Sequence, residues 1–299
     1  MSSFQLTFIL LTSLGIQAHA TQVKAQNADL CQNLSIISHR GLAGLLPEES
    51  QLGYQAAADL GTDYLEMDVH RTKDSVLIVN HDNTFARTTD ISKVYPNRMN
   101  DPIYTFTFDE ILKLKNNGVP ILKLEDVINI SLTHPHHPGL YIESKSPELY
   151  PGVEKQIIDL LEAKAAFRQV KVYFQSFDIL SIKKFKDLRP EIPRIYLSES
   201  PYSNLIKKEL PLAIQFANGI GPDLNQVGTV KLSEFLGFLH KPKLVVHFWT
   251  VDAPELMKKL IASNVDGIFT NRTDLLMEAC GKLNASQINS ILANYPIQH

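Results

Sequence analysis

Tyr64-Leu65-Glu66-Met67-Asp68-Val69 reads as a buried strand carrying two carboxylates on one face. Successive strand side chains point to opposite sides, so Glu66 and Asp68 share a face while Leu65, Met67 and Val69 share the other. Two carboxylates side by side in a sheet or barrel interior repel and lose hydration unless positive charge lies between them. Neighbouring apolar runs also end in reactive residues. Leu34-Ser35-Ile36-Ile37 leads to His39-Arg40-Gly41, and Val76-Leu77-Ile78-Val79 leads to His81-Asp82. Tyr141-Ile142-Glu143-Ser144-Lys145 repeats the parity, with Glu143 and Lys145 on one face and Ile142 opposite.

Around these segments, short β-branched runs alternate with helical stretches. The pattern predicts strands at 34–39, 63–69, 76–81, 140–145, 171–176, 193–198, 213–217, 244–250 and 266–270. It predicts helices at 49–60, 108–116, 124–131, 151–165, 178–187, 231–239, 253–263 and 272–280. Alternating strands and helices give a parallel sheet with crossover helices. Eight or nine strands in roughly 260 residues fit an α/β fold of the (β/α)8 TIM-barrel type. Only six residues separate Val69 from Val76, too few for a crossover helix, so a loop is expected there. Residues 83–107 form a polar insertion after the third strand, a candidate lid or a passive surface excursion. No Pro/Gly/Ser-rich linker divides the chain, so one domain is expected over 31–285, with 286–299 as a C-terminal tail.

The 299 residues carry a net charge of −3 and no long basic run, which gives a nucleic-acid partner no electrostatic support. Phe4 to Ile16 is mostly apolar and uncharged, too short to span a bilayer, and Ala18-His19-Ala20 follows with small residues at the cleavage positions. Residues 1–20 therefore read as a cleaved signal peptide, although no Lys or Arg precedes the apolar run. Export to the periplasm or outside the cell is expected, with no stable membrane insertion after cleavage. Cys31 and Cys280 lie near the two ends of the mature chain and could form one disulfide or remain two buried thiols.

Barrel enzymes place reactive residues at the C-terminal strand ends. His39, Arg40, Asp68, His81, Glu143, Lys145, Gln175 and Trp249 all fall at or near predicted ends. Glu66, Asp68 and Glu143 form an all-oxygen set suited to one divalent cation, Ca²⁺ or Mg²⁺, rather than zinc. His39 and His81 titrate near neutrality and can serve as an acid/base pair. Lys145 is placed to neutralise a phosphate oxygen. Together these residues point to metal-assisted phosphoester chemistry.

The motifs from His39 to Thr89 resemble those of the glycerophosphodiester phosphodiesterase family. They are His39-Arg40-Gly41, Pro47-Glu48-Glu49-Ser50, Glu66-Met67-Asp68-Val69, Thr72-Lys73-Asp74, His81-Asp82 and Arg87-Thr88-Thr89. Glu143-Ser144-Lys145, Ser176-Phe177-Asp178, Trp249-Thr250-Val251-Asp252 and Asp266-Gly267-Ile268-Phe269-Thr270 extend the likeness over nearly all of the mature chain. The resemblance implies hydrolysis of a small glycerophosphodiester to glycerol 3-phosphate and an alcohol. It implies Glu66, Asp68 and Glu143 as metal ligands, His39 and His81 as acid and base, Arg40 and Lys145 as phosphate clamp, and Trp249 against the glycerol. Glu49 and Ser50 replace the family's Asn-Thr, and Asn271 replaces an acidic residue. These departures are expected to bear on substrate preference more than on activity. Gly41 is expected to let the backbone approach the phosphate.

The same barrel could instead act on larger lipids, as lysophospholipase D or sphingomyelinase D enzymes do; a broad apolar rim around 83–107 would favour that reading. A binding protein with a degenerate site would not require two titrating histidines. His247 is expected to be a satisfied interior histidine, His70 a supporting strand-end residue, and His134-Pro135-His136-His137-Pro138 a solvated loop at the far end of the barrel.

Overall fold

The apolar runs form the staves of a closed barrel. A computed structural model describes residues 29–227 and 232–297, so the predicted signal peptide lies outside the described residues. Eight parallel strands make the wall: β1 (Ser35–Ser38), β2 (Tyr64–Arg71), β6 (Gly139–Ser144), β7 (Val172–Ser176), β8 (Arg194–Ser198), β9 (Gly219–Pro222), β10 (Val245–Phe248) and β11 (Gly267–Thr270). Their order around the wall is β1-β11-β10-β9-β8-β7-β6-β2, and pairing of Ile37 with Tyr64 and Ser38 with Leu65 closes the ring.

Eight helices follow the strands: α1 (Gln51–Asp59), α2 (Leu124–Thr133), α3 (Val153–Ala163), α4 (Ile179–Leu188), α5 (Leu210–Phe216), α6 (Leu232–His240), α7 (Pro254–Ala262) and α8 (Thr273–Ala279). Their apolar faces pack onto the outside of the wall in two large clusters, one centred on Leu65, Ile142 and Phe174 and the other on Ile36, Val246 and Ile268. Inside the barrel, Tyr141, Tyr173 and His247 fill the cross-section, with Tyr141 and Tyr173 stacked at 5.0 Å. His247 shares a hydrogen bond of 2.9 Å between Nδ1 and the Tyr141 hydroxyl. Gly267 makes room for that ring, because a Cβ there would lie 2.6 Å from the His247 side chain. No helix among the described residues is long and apolar enough to cross a membrane.

Several expectations need correction. The predicted strand at 213–217 is helix α5, whose Leu212 and Ile214 are exposed; the barrel strand is the next segment, Gly219–Pro222. The predicted third strand shortens to β3 (Leu77–Val79) and is no stave of the barrel. It returns antiparallel along the end of β2, pairing Val69 with Val79 and Arg71 with Leu77. The predicted helix 108–116 shrinks to a single turn, Phe108–Ile111, followed by a small hairpin of β4 (Lys115–Asn116) and β5 (Val119–Pro120). The expected C-terminal tail, 286–299, is partly helical over its described residues. Helix α9 (Ala285–Leu292) runs across the expected boundary, and Ile288, Leu292 and Tyr295 pack against the cluster that includes α1.

The insertion is built around its own core. Ile78, Phe85, Ile91, Ile103, Phe106, Ile111, Leu114 and Ile121 form a separate buried cluster, and the Arg98 guanidinium lies 3.6 Å from the Phe106 ring centroid. At the opposite end of the barrel, Cys31 and Cys280 are joined in a buried disulfide that links the segment before β1 to the end of α8.

Candidate active site

Strand parity places Glu66 and Asp68 in the barrel mouth, and the register of β2 with β6 sets Glu143 opposite Asp68. Carboxylate oxygens of Glu66, Asp68 and Glu143 all lie within 4.8 Å of one another, and all three residues are buried. Both oxygens of Glu66 are fixed: Gln175 Nε2 donates to Oε1 at 2.9 Å, and the Arg40 backbone N–H donates to Oε2 at 2.8 Å. The sequence placed Gln175 at a strand end without a role; its register beside Glu143 on β7 brings it to Glu66.

Two cations partly balance the three acids. Arg40 Nε lies 3.1 Å from Asp68 Oδ2, while Lys145 Nζ lies 3.0 Å from Glu143 and 3.6 Å from Asp68. Burial works against charge on Asp68, yet Lys145 and Arg40 hold its carboxyl far below the usual range. The other two acids are left short of positive charge. Burial pushes Glu143 up to about 8, with Lys145 opposing the shift, and burial with the Asp68 and Glu143 charges raises Glu66 well above the ordinary carboxylate range. Asp68 Oδ2 and Arg40 Nε are buried without a well-formed hydrogen bond among the described residues. Three buried carboxylates that two cations do not fully balance, one with an oxygen that accepts no well-formed hydrogen bond, fit a hard divalent cation.

The histidines flank this pocket. His39 follows β1, and its Nδ1 shares a 2.8 Å hydrogen bond with Asn271 Oδ1 beyond β11. Asn271 Nδ2 in turn donates to Asp252 at 2.7 Å. His81 follows β3 rather than a barrel stave. The antiparallel return brings it down onto the mouth, where Asn80 N–H donates to the Asp68 carbonyl at 2.9 Å. Its Nδ1 is 2.6 Å from Asp82 Oδ1. Arg87 then ties Asp82 to Glu48 through hydrogen bonds of 2.7, 2.9 and 2.6 Å, clamping the insertion to the loop after β1. Burial, and then the Arg40 charge, lowers His39 to about 4; burial also lowers His81. With Nδ1 held in both rings, Nε2 is the nitrogen left to work in the pocket.

Both departures from the family pattern lie behind this machinery instead of on a substrate surface. Asn271 holds His39. Glu49, 2% exposed and at a φ of 55°, accepts from the Asp68 N–H at 2.9 Å through Oε1, while Oε2 accepts from the Tyr54 hydroxyl. Burial and the nearby Asp68 and Glu66 charges raise Glu49 well above the usual carboxylate range. The fold itself requires a glycine at Gly41. At a φ of 82°, it packs against the start of α1, where a Cβ would lie 2.7 Å from the Gly53 carbonyl carbon. Ser50 caps α1, accepting from Gly53 N–H at 3.0 Å. His70 supports His81 from below, with Nδ1 at 2.9 Å from the Tyr150 hydroxyl and Nε2 at 3.4 Å from the His81 carbonyl.

Trp249, after β10, donates its indole N–H inward to the Gly221 carbonyl at 2.6 Å, so its ring is what meets the mouth. The cavity there has a volume of about 80 Å³ and is bordered by His39, Arg40, His81, Lys145, Phe177 and Trp249 as well as Glu66 and Glu143. The histidine-rich loop sits before β6, at the far end, where His136 Nε2 contacts the Thr62 carbonyl at 3.0 Å.

Comparison with known proteins agrees with this geometry. Residues 39–275 match the model of the Glycerophosphoryl diester phosphodiesterase family. The glycerophosphodiester phosphodiesterase of Bacillus subtilis (strain 168) is 30% identical over 80% of this chain and 84% of its own length. The corresponding Bacillus altitudinis protein is 28% identical over 80% of this chain and 95% of its own. Two solved structures share the fold. An Oleispira antarctica phosphodiesterase in complex with the product sn-glycerol-3-phosphate has a TM-score of 0.70 at 20% identity, covering 82% of this chain and 96% of that one. A glycerophosphodiester phosphodiesterase from Agrobacterium tumefaciens has a TM-score of 0.64 at 23% identity, covering 82% and 99%. The chain belongs to the glycerophosphoryl diester phosphodiesterase family.

Proposed function

We propose that this enzyme hydrolyses small, water-soluble glycerophosphodiesters to sn-glycerol 3-phosphate and an alcohol, using the His39/His81 pair beside a divalent cation held by Glu66, Asp68 and Glu143. One observation carries the reading: two histidines, each anchored through Nδ1, flank a buried acid triad that already holds Arg40 and Lys145. The cation, Ca²⁺ or Mg²⁺, would supply positive charge to the phosphate oxygens.

The residues divide the remaining work. Arg40 and Lys145 draw the phosphate into the mouth and stabilise charge on its equatorial oxygens. His39, kept neutral by its setting and held by an uncharged amide, takes the proton from the attacking oxygen at Nε2. Burial lowers His81 too, but the Asp68 charge and the Asp82 carboxylate at Nδ1 oppose that shift, and it is His81 that carries the proton that goes to the leaving alkoxide. The new P–O bond forms as the ester P–O bond breaks, and one proton passes on each side. Trp249 packs against the glycerol carbons.

The insertion favours a small diester over a lipid. Phe85, Ile91, Ile103 and Phe106 turn inward, leaving Met99 and Tyr104 as the exposed large apolar residues among 83–107. The mature domain, residues 31–285 with α9 packed on it, reads as exported to the periplasm or beyond. The buried disulfide supports that location, since such bonds persist in oxidising compartments. N-terminal sequencing of the protein recovered outside the cytoplasm tests it.

The activity test is release of glycerol 3-phosphate from glycerophosphocholine, with and without a chelator. Chelation should abolish turnover and added Ca²⁺ or Mg²⁺ restore it. His39→Ala should lower kcat by about 10²–10⁴-fold, the usual contribution of general acid–base catalysis. Turnover that ignores the chelator, or an unimpaired His39→Ala enzyme, would overturn the mechanism.

A further inference from the structure

Two stretches of the sequence, Pro47-Glu48 and Arg87-Thr88-Thr89, have no part in the chemistry described so far. The fold brings Glu48 and Arg87 together, although they are 39 residues apart in the chain. The Arg87 guanidinium uses both of its edges. Nη1 and Nη2 donate to the two oxygens of Glu48 at 2.9 and 2.6 Å, while Nε and Nη2 donate to the two oxygens of Asp82 at 2.7 and 3.2 Å. Such a planar fork fixes the orientation of each carboxylate as well as its position. Glu48, Asp82 and Arg87 do not border the catalytic cavity, so they can act on the reaction only through other residues.

Each carboxylate has a second partner in the mouth. Asp82 Oδ1 is 2.6 Å from His81 Nδ1. Glu48 Oε1 is 3.5 Å from Arg40 Nη1, and Arg40 Nε is 3.1 Å from Asp68. An unbroken chain, His81–Asp82–Arg87–Glu48–Arg40, therefore joins the ring beside the leaving alkoxide to the cation that receives the phosphate. Burial works against charge on Glu48 and Asp82, yet both are held below the ordinary carboxylate range, first of all by their hydrogen bonds to Arg87. The Arg87 side chain is 48% exposed, and ion pairs so open to water add little stability. Their effect is on orientation.

We propose that Arg87 is a positioning residue for both sides of the reaction: through Asp82 it aims His81 at the leaving oxygen, and through Glu48 it keeps Arg40 free to take the phosphate. The proposal deepens the phosphodiesterase reading and rests on it for the substrate and for His81 as the acid. Without Arg87, the Asp82 carboxylate can rotate and the His81 ring loses its anchor. The proton then reaches the leaving oxygen less often as the ester P–O bond breaks. Glu48, for its part, keeps Arg40 as its remaining ion-pair partner among the described residues, and that pairing competes with the phosphate. The first loss falls on kcat, and only where the leaving group needs a proton; the second falls on KM, whatever the alcohol. A leaving group as acidic as p-nitrophenol departs as its anion and gains little from a general acid.

The test compares glycerophosphocholine with the p-nitrophenyl ester of glycerol 3-phosphate in the metal-loaded wild type, Arg87→Ala and Arg87→Lys. In Arg87→Ala, kcat on glycerophosphocholine should fall about 10- to 100-fold, while kcat on the p-nitrophenyl ester stays within about threefold of the wild type. KM should rise severalfold on both. Arg87→Lys keeps the charge but not the fork, so it should show the same split in smaller measure, and it carries the comparison if Arg87→Ala does not fold. Calorimetry of inorganic phosphate reads the Arg40 side without turnover, and binding should be severalfold weaker in Arg87→Ala than in the wild type. Equal kcat losses on the two diesters, or unchanged phosphate binding, would overturn the proposal. If phosphate binding weakens as expected while the wild type cleaves neither diester, the Arg40 side stands, and the phosphodiesterase reading falls together with the His81 side.

Discussion

Asn271 sets the character of His39. Most of the pull on this ring comes from burial and from Arg40, and the amide at Nδ1 offers orientation without the charge a carboxylate would bring. Restoring a carboxylate by Asn271→Asp should favour the imidazolium and raise the His39 pKa, because an opposite charge stabilises the protonated ring. A base must be neutral to act, so the acid limb of the kcat/KM profile should move to higher pH by about one to two units. Asn271→Ala should instead lower kcat without moving that limb upward. A pH–rate series from 4 to 9 distinguishes these outcomes, and an unmoved limb in Asn271→Asp would remove His39 from the role of base. The clustering of the acid triad was legible in sequence because a strand's period of two makes parity readable at Glu66, Asp68 and Glu143. Asn271 and Glu49 were not legible as supports. Each reaches its partner only through closure of the barrel, one across the β1–β11 seam and the other from the turn that leads into α1.

The hairpin of β2 and β3 is the element that decides where His81 goes. The sequence read His81 as the end of a parallel stave, and it does reach the mouth, but for a different physical reason. A short connection after Val69 forces an antiparallel return, and the Val69–Val79 register stops the chain at the level of Asp68. The insertion behind it holds that position through its private core. Removing the Phe106 ring, which is fully buried and packed edge-on to Phe85 at 5.6 Å, should destabilise the module by about 3–5 kcal/mol. In Phe106→Ala, amide exchange should accelerate across 72–123 before it does in the barrel strands, and kcat should fall as His81 loses its support. Uniform acceleration over the whole chain would mean that the module has no separate stability. β9 was hidden for the opposite reason. Its sequence, Gly219-Ile220-Gly221-Pro222, has poor strand propensity, yet a Cβ at 219 would lie 2.4 Å from Val245 and 2.5 Å from Ile195. Crowding within the wall, which a linear pattern does not display, selects glycine there.

For the whole molecule, closure is made twice: by the β1–β11 and β1–β2 pairings, and by the Cys31–Cys280 bond. The bond spans a sequence separation of 249 residues. A loop that long restricts the unfolded chain strongly, so Cys280→Ser should cost roughly 3–5 kcal/mol and lower Tm by about 10 °C or more. Turnover at 25 °C should be retained, because the sulfurs lie at the end of the barrel away from the mouth. Calorimetry and the diesterase assay on the same preparation check both halves. The same bond also makes the described polypeptide a covalent ring from residue 31 to residue 280. A single proteolytic cut in any loop within that ring opens it without releasing a fragment. A nicked molecule can therefore keep its strands in register and continue to work where proteases are abundant. On a gel it would travel as one species until a reductant divides it in two.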